Sequence, residues 1–119
     1  MTYYNEKGVK RFINAILFSI KGFKAAWKHE EAFRQEVLAF IIAVPSAFWL
    51  TDNNIERILL IASVVLVMIV ELINSAVEAV VDRIGVEYHE LAGRAKDIGS
   101  AAVMLSIMLA IATWSLILI

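Results

Sequence analysis

Between Ile55 and Val81 an otherwise apolar run, long enough to cross a bilayer, carries Glu71, Asn74 and Glu78, and Asp82 follows it directly. Offsets of 3, 7 and 11 residues from Glu71 put all four on one side of a helix, so they form a single polar stripe. Charge inside a bilayer is costly unless it faces a partner, a cation or a water-filled cavity, which makes this stripe the candidate functional site. The bland alternative is the salt-bridged face of a soluble helix. The complete lack of charge from Ile58 to Val70 disfavours it.

Composition supports the membrane reading. A chain of 119 residues that is 61% hydrophobic, with mean hydropathy +0.74, has more apolar surface than one small soluble core absorbs. The expectation is one membrane domain over residues 1–119. A formal net charge of −1 lacks the basic excess of a general nucleic-acid binder, so no nucleic-acid partner is expected. The absence of cysteine excludes disulfide and thiolate chemistry. The N-terminus shows no compact apolar core followed by a small-residue cleavage site, so the chain reads as mature protein.

Three membrane-spanning helices are predicted, at about 32–50, 55–82 and 98–119. The first apolar run, Val37 to Leu50, has only 14 residues and contains Pro45. Extension back through Ala32 and Phe33 supplies the missing length, with Arg34, Gln35 and Glu36 snorkelling or facing protein. The last, Ile98 to Ile119, is nearly all apolar and is the clearest span. Ahead of them Val9, Ile13, Ile16, Ile20, Phe23 and Trp27 recur at steps of three or four, with Lys10, Lys21, Lys24 and Lys28 mostly elsewhere on the wheel. This predicts an N-terminal amphipathic surface helix at about 6–29, lying in the membrane plane. The fold class is therefore all-α and integral to the membrane.

Seven of the eleven Lys and Arg residues precede the first apolar segment, and Arg83, Arg94 and Lys96 lie in the second connection. That distribution predicts a cytoplasmic N-terminus and second connection, with Thr51 to Arg57 on the opposite side.

The second connection, Asp82 to Asp97, is dense in donors and acids and is a candidate polyanion site. Arg94 and Lys96 suit phosphate oxygens, Gly85 and Gly93 allow close backbone approach, and acidic groups suit a divalent ion. It contains neither GxxxxGK[ST] nor a protein-kinase glycine loop. Glu30, at the end of the surface helix, and Glu78 are expected at similar depth, where two carboxylates would clamp Mg²⁺. Glu71 lies seven residues deeper, about 10 Å along the helix, within reach of a lipid headgroup hydroxyl, where a carboxylate suits a proton acceptor. His29 and His89 have no second His at ligand spacing, and Asn74 stands where a diiron Glu-x-x-His motif needs histidine.

The strings Arg34-Gln35-Glu36, Val67 to Gly85 and Glu87-Tyr88-His89-Glu90-Leu91-Ala92-Gly93-Arg94-Ala95-Lys96-Asp97 resemble the small integral-membrane diacylglycerol kinases of Gram-negative bacteria. The central motif is long and specific: Glu-x-x-Asn-[Ser/Thr]-Ala-x-Glu, then Asp, then Glu-Tyr-His-x-Leu-Ala/Ser-x-x-Ala-Lys-Asp. The resemblance covers nearly the whole chain. It implies a homotrimeric bundle in the bacterial inner membrane, with three transmembrane helices and one surface helix per chain, and ATP-dependent conversion of diacylglycerol to phosphatidic acid.

Carried over by motif, the resemblance makes Glu71 the catalytic base and Glu30 and Glu78 the metal carboxylates. Asn74 orients the base or the lipid hydroxyl. Arg11, Phe18, Glu87, Tyr88, His89, Lys96 and Asp97 match positions around ATP, while Ser19, Lys24, Trp27, Arg34, Gln35, Trp49, Arg57 and Ser100 match the lipid side. Two positions depart from the pattern, which has Tyr at the place of Phe18 and Trp at the place of Ile20. Phe18 keeps the ring and loses a hydroxyl hydrogen bond. The implied chemistry is phosphoryl transfer, in which positioning and charge neutralisation supply most of the catalysis, with Mg²⁺ as cofactor. Two rivals stand beside it. One is phosphorylation of undecaprenol, from which the Arg83-Ile84-Gly85 and Gly93-Arg94 contexts point away. The other is a small ion-coupled transporter subunit using Glu71, Asn74 and Glu78 as a cation path, which leaves the dense second connection unexplained.

Overall fold

The computed structural model describes residues 7–85 and 89–119, and among them it contains four α-helices and no strand. These are α1 (Gly8–His29), α2 (Glu31–Leu50), α3 (Asn54–Ile84) and α4 (Glu90–Leu118). The chain divides into two compact units, Met1–Glu31 and Ala32–Ile119.

In the first unit, α1 opens at Gly8, whose φ of 66° lies in the left-handed region that glycine enters without steric cost. Lys28 and His29 occupy its last turn, where positive charge meets the negative end of the helix dipole. Its apolar residues Val9, Phe12, Ile13, Ile16, Ile20, Phe23 and Trp27 are all exposed, and Ala26 is its buried residue.

The second unit holds three helices long and apolar enough to cross a membrane. Pro45 is accommodated inside α2, where it forfeits one backbone hydrogen bond, while Phe33, Ala43 and Ala47 supply the buried side. A turn of three residues, Thr51 to Asn53, joins α2 to α3, and Asn53 caps the new helix by accepting from the Ile55 and Glu56 amides at 2.8 and 3.1 Å.

The buried residues of α3 are Leu60, Ser63, Val67, Glu71 and Asn74, spaced three or four apart along one face. Much of that face is met by α4. The Trp114 indole donates to the Leu60 carbonyl at 3.1 Å, Gly99 packs against the Asn74 side chain, and Lys96 reaches Asp82. These contacts run in opposite order along the two helices, which are therefore antiparallel. Elsewhere large apolar side chains point outward, Trp49 at 85% exposure and Leu116 at 78% among them. A water-soluble chain of this size does not leave such surface uncovered, whereas lipid tails solvate it without penalty.

Two helix boundaries differ from expectation. Residues Asp82 to Asp97 are mostly helical instead of a long connection, because α3 continues to Ile84 and α4 begins at Glu90. The polar helix ends go unseen by a search for apolar runs. In length, α3 with 31 residues and α4 with 29 span about 46 and 43 Å, against a hydrocarbon core of about 30 Å. Both helices must project beyond the hydrocarbon.

Candidate functional site

The site is built on the end of α3 next to the second connection. Glu71 and Asn74 are buried at 6% and 8% exposure, Glu78 is half-buried and Asp82 is exposed, so the stripe climbs out of the protein over three turns. The same period that buries Leu60, Ser63 and Val67 carries it upward. Near Asn74 the partner helix presents Gly99, and a Cβ there would overlap the Asn74 carboxamide. Any side chain at this position would require the Asn74 carboxamide to move.

Within the stripe the polar atoms are partly tied to one another. Asn74 Nδ2 donates to Glu78 Oε1 at 3.1 Å, and the Ser75 hydroxyl donates to Glu71 Oε2 over a long 3.4 Å. On α2, Glu36 is half-buried, with Glu71 as its charged neighbour. Two buried oxygens, Glu36 Oε1 and Asn74 Oδ1, have no hydrogen-bond donor among the described residues. Leaving a polar atom buried and unpaired costs roughly 1–3 kcal/mol, so unpaired oxygens beside a carboxylate mark a place arranged for a proton or a donor from outside.

At the end of the stripe Lys96 Nζ lies 2.7 Å from Asp82 Oδ1, with both side chains well exposed. This pair joins the last turns of α3 to the first turns of α4. His89 caps α4, its Nδ1 accepting from the Leu91 amide at 3.1 Å. Arg94 pairs with Glu90 at 3.9 Å on the helix surface, an arrangement worth little. Asp97 and Ser100 are exposed on α4. Glu87 and Tyr88 lie outside the described residues.

Other residues named from the sequence sit elsewhere. Arg57 is fourteen residues from Glu71 on the same helix, about 21 Å along the axis. It is engaged in the α2–α3 turn: Nε donates to the Thr51 carbonyl at 2.9 Å, Nη1 to Asn54 Oδ1 at 3.0 Å and Nη2 to the Phe48 carbonyl at 3.3 Å. The same guanidinium stacks over the Phe48 ring at 4.8 Å and pairs with Asp52. Trp49, also near this end, is exposed. On α2, Arg34 is half-buried and Gln35 exposed.

In the first unit Arg11, Phe18, Ser19, Lys24 and Trp27 are exposed along α1. The Ser19 hydroxyl is returned to the Ala15 carbonyl at 2.8 Å, and Lys21 lies over the Phe18 ring. Glu30 follows the helix, half-buried, with its amide donating to the Ala26 carbonyl.

Three participants escaped the sequence reading: Glu36, Asp82 as the Lys96 partner, and Gly99. A signal existed for the first, since a carboxylate next to an apolar run is itself unexpected. Gly99 acquires meaning only from the α3–α4 register, as does the pairing of Asp82, already part of the stripe, with Lys96.

A profile of the family described as prokaryotic diacylglycerol kinase matches residues 17–118. The diacylglycerol kinase of Escherichia coli K12 is 59% identical over 114 residues, covering 96% of this chain and 93% of that protein. The Haemophilus influenzae diacylglycerol kinase is 50% identical over 115 residues, covering 97% and 98%, and that of Pseudomonas aeruginosa 45% over 117 residues, covering 98% and 95%.

Proposed function

The chain belongs to the prokaryotic diacylglycerol kinase family, and on that premise we propose that the α3 stripe transfers the γ-phosphoryl group of ATP to the primary hydroxyl of diacylglycerol at the membrane surface. The observation that carries the site assignment is the buried carboxylate Glu71 on the same helix face as the buried Asn74, whose Oδ1 has no donor among the described residues. Diacylglycerol is an amphiphile whose hydroxyl stays at the membrane surface while its chains remain in the lipid.

In the proposed reaction Glu71 accepts the proton of the lipid hydroxyl as that oxygen attacks the γ-phosphorus; the bond to the bridging β–γ oxygen breaks and ADP leaves. Asn74, held by its amide on Glu78, offers Oδ1 to a hydroxyl donor and so orients the nucleophile. Lys96 offsets phosphate charge after exchanging Asp82 for the nucleotide, and Arg11, His89 and Asp97, with Glu87 and Tyr88, are assigned to the nucleotide on the strength of the motif. Ser19, Lys24, Trp27, Arg34, Gln35 and Ser100 are assigned to the lipid, with Trp49 and Arg57 toward the other end of the span.

Among the described residues no group of three His, Cys, Asp or Glu side chains could hold a metal. Mg²⁺ does not require one, because one or two carboxylates with phosphate oxygens and water complete its octahedron. Glu78 on α3 and Glu30 after α1 are the hard oxygen donors proposed for it. When bound, the ion neutralises phosphate charge and orients the phosphates.

Neither rival is favoured, since the comparisons are to diacylglycerol kinases and a cation path would not need them. The deciding experiment measures lipid-dependent ADP formation in mixed micelles with diacylglycerol, with undecaprenol and with no lipid acceptor. Turnover only with diacylglycerol is expected, and equal or faster turnover with undecaprenol would sink the substrate assignment.

Two further parts of the reading concern assembly and orientation. A homotrimer is proposed because one chain leaves large apolar and site-forming surfaces uncovered; a monomer of full activity in detergent, sized by sedimentation, would refute it. A cytoplasmic N-terminus is proposed from the Lys and Arg distribution. In intact cells an impermeant thiol reagent should label Asn53→Cys and spare Glu90→Cys, and the reverse pattern would invert the topology.

A further inference from the structure

Two ion pairs stand at the start of α4, and they differ in kind. Arg94 and Glu90 lie one turn apart on the same helix, 3.9 Å from each other, an arrangement that any solvated helix face provides. Lys96 instead reaches across to α3, where its Nζ lies 2.7 Å from Asp82 Oδ1. Asp82 is the outermost member of the stripe, four residues and about 6 Å along the axis beyond Glu78, the carboxylate proposed for the metal. The group assigned to phosphate is therefore held by a carboxylate of the very stripe that receives the phosphate.

Electrostatics give this arrangement a reason in the empty site. Glu78 and Asp82 are like charges four apart on one helix, a destabilising spacing, and an ammonium against Asp82 offsets their repulsion. The same contact occupies the donors that phosphate oxygens need. Lysine carries a compact charge on a flexible stem, so its head changes partners without any movement of α4. With side-chain exposures of 46% and 64%, neither member is locked in by packing, and an exposed pair of this kind shifts an equilibrium by up to about fivefold. A polyphosphate outbids a single carboxylate on those terms. Asp82 nevertheless stays close enough to retake the lysine when a nucleotide leaves.

We propose that Asp82 is a positioning residue that competes with nucleotide phosphate for the Lys96 ammonium, so that ATP enters and ADP leaves by an exchange of partners. The proposal rests on the reading of Lys96 as a phosphate-binding group. Asp82 acts through Lys96: it keeps the ammonium at the end of the stripe while the site is empty, and it holds nucleotide affinity below what Lys96 alone would give. Removal of its charge should therefore strengthen nucleotide binding. A purely structural tie between α3 and α4 has the opposite sign, because loosening it would weaken a site built from both helices.

The test measures equilibrium binding of the non-hydrolysable β,γ-methylene analogue of ATP, with Mg²⁺, to the full chain in detergent. The proteins are the parent, Asp82→Asn, Asp82→Glu, Lys96→Met and the double variant carrying Asp82→Asn and Lys96→Met. Asp82→Asn should bind the analogue about three- to fivefold more tightly and lower the inhibition constant of ADP by a similar factor, with a near-parental thermal midpoint. Asp82→Glu can rebuild the pair, so both constants should return to within about 1.5-fold of the parent. With Lys96→Met in place, the Asp82→Asn change should move the affinity by less than about 1.5-fold, because the partner through which it acts is gone. Unchanged or weakened binding in Asp82→Asn would overturn the proposal. Equal tightening with and without Lys96 would overturn it too, and would make Asp82 a general negative charge near the phosphates. If Asp82→Asn fails to fold, Asp82→Ser takes its place with the same expected values. The premise is read separately: Lys96→Met alone should weaken the analogue about tenfold or more, and parental affinity there would remove Lys96 from the phosphates.

Discussion

Two charged clusters stand on α3, and they are built on opposite principles. At the α2–α3 turn every feature of Arg57 is matched: two carbonyls, an asparagine oxygen, a carboxylate and an aromatic face. Thr51 and Asn53 complete the turn, the threonine hydroxyl donating to Glu56 at 2.5 Å and the asparagine capping the helix. Around Glu71, by contrast, two buried oxygens, Glu36 Oε1 and Asn74 Oδ1, lack donors among the described residues. Equal chemical ingredients thus serve different ends. A cluster that satisfies itself closes a turn, whereas a cluster that leaves bonds unmade stores a cost that a substrate can relieve.

Substitutions can break this contrast. The largest effect is expected from Glu71→Gln, which removes charge and basicity with little change of shape. Activity should fall about 10²–10⁴-fold while the helical circular dichroism and thermal midpoint stay near parental values. A variant that unfolds instead would make Glu71 a structural group like Arg57. Glu78→Ala should raise the Mg²⁺ concentration needed for half-maximal rate about tenfold or more. An unchanged Mg²⁺ titration would remove Glu78 from the metal.

At the turn the signature should reverse. Arg57→Ala deletes several hydrogen bonds near the surface and should cost about 1–2 kcal/mol of stability, read as a lower thermal midpoint, with any kinetic effect confined to the KM for diacylglycerol, as its lipid-side assignment requires, and kcat of the folded fraction nearly unchanged. A loss of kcat without a loss of stability would join the two clusters into one functional system. Gly99→Ala sharpens the comparison from the α4 side. Alanine improves helix propensity by about 1 kcal/mol, but its methyl group collides with the Asn74 carboxamide, and overpacking typically costs 1–3 kcal/mol. The collision should win, lowering kcat by severalfold together with stability; a stabilised, fully active variant would show the close approach to be unnecessary. Arg94→Ala, which removes only an exposed pair with Glu90, should change stability by less than about 0.5 kcal/mol, and a larger shift would show that surface pair to be more than solvated.

Much of the fold was legible in the chain because it rests on local, one-dimensional rules. Runs of apolar residues such as Ile98 to Ile119 need only be counted to be recognised as helices long enough to cross a membrane. The Glu71, Asn74 and Glu78 stripe follows from a period of 3.6, and its membership of a phosphotransferase motif from residue order alone. The polar helix ends were less legible. Asp82 to Ile84 and Glu90 to Asp97 carry no apolar signal, so their helicity rests on capping by His89 and on pairing across α3 and α4.

What the order of residues could not supply is which groups meet. Glu36 is separated from Glu71 by 35 positions, and no local rule turns it toward that carboxylate instead of toward lipid or water. Gly99 reads as an ordinary small residue until α4 is laid antiparallel on α3, when it becomes the residue that leaves room for the Asn74 carboxamide where it lies. Arg57 and Lys96 are both basic residues near helix ends, yet one is fully occupied and the other is held by a single exposed aspartate. Sequence determined the helices and the polar stripe because both are properties of one segment and its solvent. Tertiary structure alone decided which buried oxygens would go unpaired, because that depends on where a second helix brings its own donors and acceptors.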